Sequence, residues 1–216
     1  MTTEQMAHNI YLIEKDGKKF LATKCGYPPY YGEKKHDDLR EWIAWRSKFA
    51  AMALNGYFPQ LEPEWKVLYL GASSGTTLSH FSDVFDEGMI YAVEYSPKPF
   101  SKLLGLAMER KNIIPLLEDA SRPWNYNGIV EEVDFVYQDI AHKEQIKIFT
   151  MNANMFLKAK GSGLIMVKAR SIDSTAEPDD VFNEVIEKLS NQFNIIKQGR
   201  LDPYHKDHKY IHVVKE

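Results

Sequence analysis

The sequence predicts an α/β fold: a mostly parallel sheet whose last strand is antiparallel, preceded by a small amino-terminal β element. Three observations carry this. After Pro63, short apolar runs alternate with helix-length amphipathic segments, the pattern of βαβ units with helices covering a parallel sheet. The last two runs are joined by about 13 residues that include Gly199 and Pro203, too few for a helical crossover, so they pair antiparallel. Near the amino terminus, two short runs flank Asp16-Gly17, a dipeptide suited to the positive φ angles of a tight hairpin.

The hairpin strands are expected over residues 8–13 and 18–23. Residues 24–36, with Gly26, Pro28, Pro29 and Gly32, read as a loop. From Asp37 to Asn55, the residues Leu39, Trp42, Ile43, Phe49, Met52 and Ala53 recur at roughly helical spacing, with Asp37 or Asp38 as cap and Gly56 as stop. Seven strands are then expected at Val67–Leu70, Met89–Glu94, Asn112–Leu117, Val133–Gln138, Leu164–Val167, Phe193–Ile196 and Tyr210–Val214. Helices are expected at Pro97–Arg110, His142–Lys158 and Pro178–Asn191. This divides the chain into an amino-terminal β element and loop over residues 1–36 and a larger domain over 37–216.

Composition narrows the function classes. With 216 residues and 44% hydrophobic side chains, the chain can bury a core without staples. No window approaches the roughly 18 apolar residues of a membrane span, and the first residues lack the basic-then-apolar pattern of a signal peptide. A single cysteine, Cys25, excludes an internal disulfide and a thiolate metal cluster, and no histidine spacing supports a metal site. The formal charge of −3 argues against gripping nucleic acid by bulk charge, though not against a local basic face.

The run Val67–Leu70 leads through Gly71-Ala72-Ser73-Ser74-Gly75 into Thr76-Thr77, a strand, a glycine turn and a helix start that brings backbone N–H groups to a ligand. Ser73 and Thr76 stand where the dinucleotide fingerprint has glycines, which disfavours a pyrophosphate loop. The next strand ends in Glu94, placed to accept from both hydroxyls of a ribose. The third run ends in Glu118-Asp119-Ala120 and the fourth in Gln138-Asp139-Ile140-Ala141. Three successive strands thus bring a carboxylate to the carboxyl edge of the sheet, where open α/β folds bind ligands. An adenosyl group suits them: Glu94 to the ribose, Asp119 to the adenine amino group, and residues 71–77 to the remainder.

The strings VLYLGASSGTTLSH, YAVEYS, NIIPLLEDA, DFVYQDIA and KARSIDST resemble those of the fibrillarin family, in order and spacing, over nearly the whole chain. The resemblance implies a Rossmann-like class I methyltransferase fold and S-adenosyl-L-methionine-dependent 2′-O-methylation of RNA ribose. It is to the shorter archaeal form, which implies the cytoplasm of an archaeal cell. It implies a Lys-Asp-Lys-His catalytic set at Lys48, Asp139, Lys168 and His208. It implies a cofactor site at Gly71, Ala72, Thr76, Thr77, Glu94, Tyr95, Asp119, Ala120, Asp139, Ile140, Ala141 and His142. His142 replaces the family's glutamine. The residues themselves support the set, since a lysine ending an apolar strand beside a strand-end aspartate is a candidate for handling a hydroxyl proton. His205 and His212 compete with His208 for a place at the cleft. Two alternatives stand beside this reading: a small-molecule O-methyltransferase, and a non-catalytic subunit of a ribonucleoprotein.

Lys34, Lys35, His36, Arg40, Arg46, Lys48, Arg170, Lys206 and Lys209 are candidates for a basic rim. The resemblance implies as partners a Nop-family scaffold protein, a kink-turn-binding ribosomal-type protein, a box C/D guide RNA and its rRNA or tRNA target. Tyr27-Pro28-Pro29-Tyr30-Tyr31, Trp42 and Trp45 are candidate partner contacts.

Overall fold

The computed structural model describes residues 2–216. Five strands form an amino-terminal sheet: β1 (Thr2–Ala7), β2 (Ile10–Lys15), β3 (Lys18–Lys24), β4 (Lys35–His36) and β5 (Leu39–Trp42), in the order β1-β2-β3-β5-β4. All neighbours are antiparallel. The hairpin forms as expected, with Asp16 at φ 52° and Gly17 at φ 70°, matching the two positive angles of a type I′ turn.

The helix expected from Asp37 to Asn55 is replaced by three elements: β5, a single 3-10 turn at Ala44–Arg46, and α1 (Lys48–Leu54). Asp37, at φ 56°, folds β4 back on β5, and Leu39–Trp42 pair residue by residue with Leu21–Lys24 of β3. Strand pairing outweighs a helical spacing that the sequence offers equally. Gly56 does end α1, at φ 90°. The β structure therefore continues past residue 36 to Trp42.

Seven strands form the large sheet: β6 (Lys66–Leu70), β7 (Met89–Glu94), β8 (Ile113–Leu117), β9 (Val133–Gln138), β10 (Leu157–Lys168), β11 (Asn194–Arg200) and β12 (His208–Val214). Their order is β11-β12-β10-β9-β6-β7-β8, and only β12 runs against its neighbours. The helices are α2 (Thr76–Val84), α3 (Pro97–Glu109), α4 (Gln145–Phe156), a single turn α5 (Ala169–Ile172) and α6 (Pro178–Ser190). Pleat alternation splits the core. Val67 and Tyr69 face α1, α2 and α3, whereas Leu68 and Leu70 face α4 and α6. Such double coverage is what a parallel sheet needs, and each aromatic buried there contributes roughly 2–3 kcal/mol.

Ile10, Leu21 and Trp42 of the small sheet enter the first of these clusters. A buried polar network reinforces the join. Asp83 on α2 accepts from Arg40 of β5 at 2.7 Å, from the Thr23 hydroxyl of β3 at 2.8 Å, and from Arg110. Arg40 also donates to Ser79 at 2.9 Å and to Glu33 at 3.3 Å. Arg40 is fully buried, so it leaves the expected basic rim and serves as an internal cation. Trp42 is likewise a core residue, stacked on Phe49 and His80. Strand order reverses at β6, which lies between β7 and β9, and the crevice for a ligand opens beyond the carboxyl ends of these strands.

Candidate functional site

The crevice begins where β6 ends. Gly71 has φ 80°, and a Cβ there would lie 2.5 Å from the Asp139 carbonyl oxygen and 2.9 Å from Ile140 Cγ1. Only glycine allows the turns after β6 and β9 to touch. The Gly71 and Ala72 amides both donate to the Val93 carbonyl at 3.0 Å, and the Asp139 amide donates to the Leu70 carbonyl at 3.0 Å. These bonds lock three strand ends together. Above them opens a cleft of about 490 Å³ walled by Gly71, Glu94, Tyr95, Asp119, Ala120, Asp139, Ile140, Ala141 and His142, with Ser73, Glu118, Ser121 and Ile148 among the others.

Backbone amides aim the carboxylates. Glu94 accepts from Ser73 N–H at 2.8 Å on one oxygen and from Ser96 N–H at 2.7 Å on the other. Each oxygen keeps a lone pair for vicinal hydroxyls. Asp119 accepts from Ser121 N–H at 2.9 Å. Partial burial pushes its carboxyl up, but the Ser121 hydrogen bonds, then Arg122 and His142, outweigh burial and hold it below the ordinary value. His142 accepts from Glu144 N–H at 3.0 Å through Nδ1, which leaves Nε2 as the protonated nitrogen of the neutral ring. Three of the anticipated cofactor residues, Ala72, Thr76 and Thr77, are not among the residues that line this cleft. Ala72 is buried, the Thr76 carbonyl accepts from Ser79, and the Thr77 hydroxyl reaches Ser47 Oγ at 3.0 Å.

Lys48 opens α1, and its Nζ donates to both Asp139 oxygens, at 2.7 and 2.9 Å. Both side chains are about four-fifths buried. Ser47 places this lysine: it caps α1 through Ala50 N–H and accepts from Trp42 Nε1 at 2.9 Å. Lys168 ends β10, fixed by a two-way amide clamp in which its N–H donates to Gln145 Oε1 and its carbonyl accepts from Gln145 Nε2. His208 is the residue opposite Lys168 across β10 and β12, so both side chains share a face.

The three carboxy-terminal imidazoles separate. His212 bonds the Tyr57 hydroxyl at 2.6 Å and Ser162 Oγ at 2.5 Å, away from the cleft. His205 meets the Ala44 carbonyl at 2.8 Å, and His208 meets the Lys206 carbonyl at 2.7 Å, their rings 5.8 Å apart. Burial lowers the pKa of each; backbone carbonyl bonds oppose it, while Lys48 lowers and Asp139 raises both. The structure thus gathers Lys48, Asp139, Lys168 and His208 at one edge, and adds His205, Ser47 and Gln145.

A family profile described as Fibrillarin matches residues 1–216. The chain belongs to the fibrillarin family. It is 57% identical over 212 residues to the fibrillarin-like rRNA/tRNA 2′-O-methyltransferase of Archaeoglobus fulgidus, covering 98% of this chain and 99% of that protein. The crystal structure of a fibrillarin/Nop5p complex superposes with a TM-score of 0.95 at 56% identity, covering 99% of this chain and 100% of that one. The Aeropyrum pernix fibrillarin, solved with natively bound S-adenosyl-L-methionine, gives 0.85 at 38% identity and 99% coverage of each.

Family membership does not supply the residues that sequence reasoning missed. Ser121, two positions after Asp119, had a local signal, since an aspartate often accepts from the backbone two residues on. Ser47 carries the local signal of a helix cap and His205 is already a rival of His208 in the sequence, whereas Gln145 has no such signal, because its partner Lys168 lies 23 residues away.

Proposed function

We propose that the chain is an S-adenosyl-L-methionine-dependent RNA 2′-O-methyltransferase that acts on ribose in rRNA and tRNA, directed by box C/D guide RNA. The observation that carries the mechanism is the Lys48–Asp139 pair at the edge of the cleft, 2.7 Å long and flanked by Lys168 and His208. The fit to the cofactor rests on the aimed Glu94 and Asp119 carboxylates and on the close Gly71 turn. Glu94 would hold the ribose hydroxyls, Asp119 and Ala120 the adenine, with Tyr95 over its exposed side, and Asp139 to His142 the methionine end.

The bound cofactor supplies an already activated methyl group, so the protein need only position the target hydroxyl and accept its proton. Asp139 orients that hydroxyl, Lys48 fixes the carboxylate, and Lys168 and His208 supply the proton route. Partners complete the enzyme: a Nop-family scaffold protein, a kink-turn-binding ribosomal-type protein reached through it, and the guide RNA. The setting is the archaeal cytoplasm. The amino-terminal β unit acts as a buttress to the methyltransferase domain.

The test is reconstitution with guide RNA, scaffold protein and labelled cofactor, followed by mapping of the methyl group. Label is expected on the 2′-oxygen of one guide-paired nucleotide, with Lys168→Ala at least about 100-fold slower. Label on a base, or an unchanged rate in Lys168→Ala, refutes the mechanism.

A further inference from the structure

The loop between β3 and β4 crosses from the small sheet to the turn after β6. Within it, Tyr30 and Tyr31 are half-buried, ring edge against ring with centroids 4.8 Å apart. The Tyr30 hydroxyl lies against α3, where a Cβ on Gly105 would come within 2.7 Å of it. The Tyr31 hydroxyl donates to the Ser74 carbonyl, and a Cβ on Gly75 would lie 3.1 Å from that hydroxyl. A side chain of the amino-terminal unit is thus seated on the turn that opens the cleft.

The backbone of Tyr31 is anchored on two further sides. Its N–H donates to Glu33 at 3.0 Å, and the buried Glu33 carboxylate is held in turn by Arg40 of β5 at 3.3 Å. Its carbonyl accepts from Arg46, two residues before Lys48, at 3.1 Å. Burial, then Tyr30 and Glu33, push the phenol up against the opposing pull of Arg40, so the hydroxyl stays a donor. The turn it reaches needs such a hold. Gly71, Ser73 and Gly75 lie at φ 80°, 52° and 92°, and of these Ser73 alone carries a Cβ, which the left-handed region disfavours. That conformation accompanies the Ser73 N–H bond to Glu94 at 2.8 Å. The carbonyl that Tyr31 holds belongs to the next residue of the same turn.

We infer that Tyr31 is a positioning residue for the cofactor: its hydroxyl pins the Ser73-Ser74 turn and so keeps the Ser73 amide on Glu94, in the geometry that receives the cofactor's ribose. This rests on the reading of Glu94 as the ribose group and deepens it, because it makes the amino-terminal unit part of cofactor binding. Tyr31→Phe removes the hydroxyl and leaves both backbone anchors, including the one next to Lys48. Its effect therefore belongs to cofactor affinity and not to the transfer step.

The test is calorimetric titration of the full chain with S-adenosyl-L-methionine, joined to kinetics in the reconstituted complex. Tyr31→Phe is expected to bind the cofactor about five- to tenfold more weakly, the size of one net hydrogen bond. KM for the cofactor should rise by the same factor while kcat at saturating cofactor holds. In a Glu94→Gln background the same change should weaken binding less than twofold further, since the route through Glu94 is already cut. Gly17→Ala, which loosens the small sheet far from the cleft, is the stability control and should bind as wild type. Binding by Tyr31→Phe within twofold of wild type overturns the inference. So do an equal loss in Gly17→Ala, additive losses with Glu94→Gln, or a fall in kcat with KM unchanged. The wild-type titration reads the underlying site separately: no binding defeats the cofactor site, and binding with an indifferent Tyr31→Phe defeats this inference alone.

Discussion

Asp139 is the residue on which the proposed chemistry turns, because its amide closes the strand ends while its carboxylate holds Lys48. Asp139→Asn keeps the shape and removes the charge. The expected outcome is a methylation rate down by about 100-fold or more with most of the cofactor-induced rise in melting temperature retained. Loss of both together would make Asp139 a binding group only. The buried His212 gives a separate prediction. Burial lowers its pKa to about 4 from 6.5. Above pH 6.5 it is neutral in both folded and unfolded chains and contributes no pH dependence. Between 6.5 and about 4 the unfolded chain takes up a proton that the folded one does not, so stability falls with pH, by roughly 3 kcal/mol in all. Fully buried His80, lowered first by burial and then by Arg40 and Arg110, acts in the same sense. Urea melts at pH 7, 6 and 5 should show this decline, and His212→Gln should flatten it; an unchanged slope rejects the assignment. The strand-end carboxylates were legible in sequence because each follows an apolar run directly. Arg40 was not, since its partners Ser79 and Asp83 are about 40 positions away and nothing local distinguishes an internal cation from a rim cation.

Among elements, the parallel strands β6, β7 and β9 were legible to within a residue, because each is a short apolar run bounded by polar residues. Strand β1 carried no such signal: Thr2–Gln5 are exposed, so neither alternation nor hydrophobicity marked it. The stretch from Leu39 was misread because four residues fit a helix turn as well as a strand, and the pairing with β3 that decides the matter is non-local. Two glycines separate local from tertiary constraint. Gly17 has φ 70° and open space around a would-be Cβ, whereas Gly71 has φ 80° and a backbone oxygen 2.5 Å away. Gly17→Ala should therefore cost about 1 kcal/mol in denaturant melts and leave activity intact. Gly71→Ala should part the β6 and β9 turns and abolish cofactor-induced stabilisation. If titration with S-adenosylmethionine still raised the melting temperature of Gly71→Ala as in wild type, the close approach would not be needed for the cleft.

At the scale of the whole molecule, Asp83 joins the two sheets. It compensates Arg40 and Arg110 together, and its loss leaves two buried guanidinium groups short of a partner. Removing one member of a buried ionic cluster typically costs about 3–5 kcal/mol. Asp83→Asn should lower the melting temperature while near- and far-ultraviolet dichroism still report one coincident transition; two separate transitions would show that the sheets unfold independently. Charge at this same scale bears on recognition. The chain carries 27 basic and 30 acidic side chains, and Arg40 and Arg110 are sealed inside. Of the candidates for a basic rim, Lys48 and Arg170 are also already paired, with Asp139 and Asp207, which leaves fewer of them for phosphates. Affinity for RNA scales with the phosphates neutralised and falls with salt. The isolated chain should accordingly bind a fluorescent guide–target duplex with a dissociation constant weaker than about 10 µM at 150 mM salt. Adding the scaffold protein should tighten binding by orders of magnitude, read by anisotropy across a salt series. Tight, steeply salt-dependent binding by the chain alone would mean that its own surface grips RNA, and that the partners serve only to choose the nucleotide.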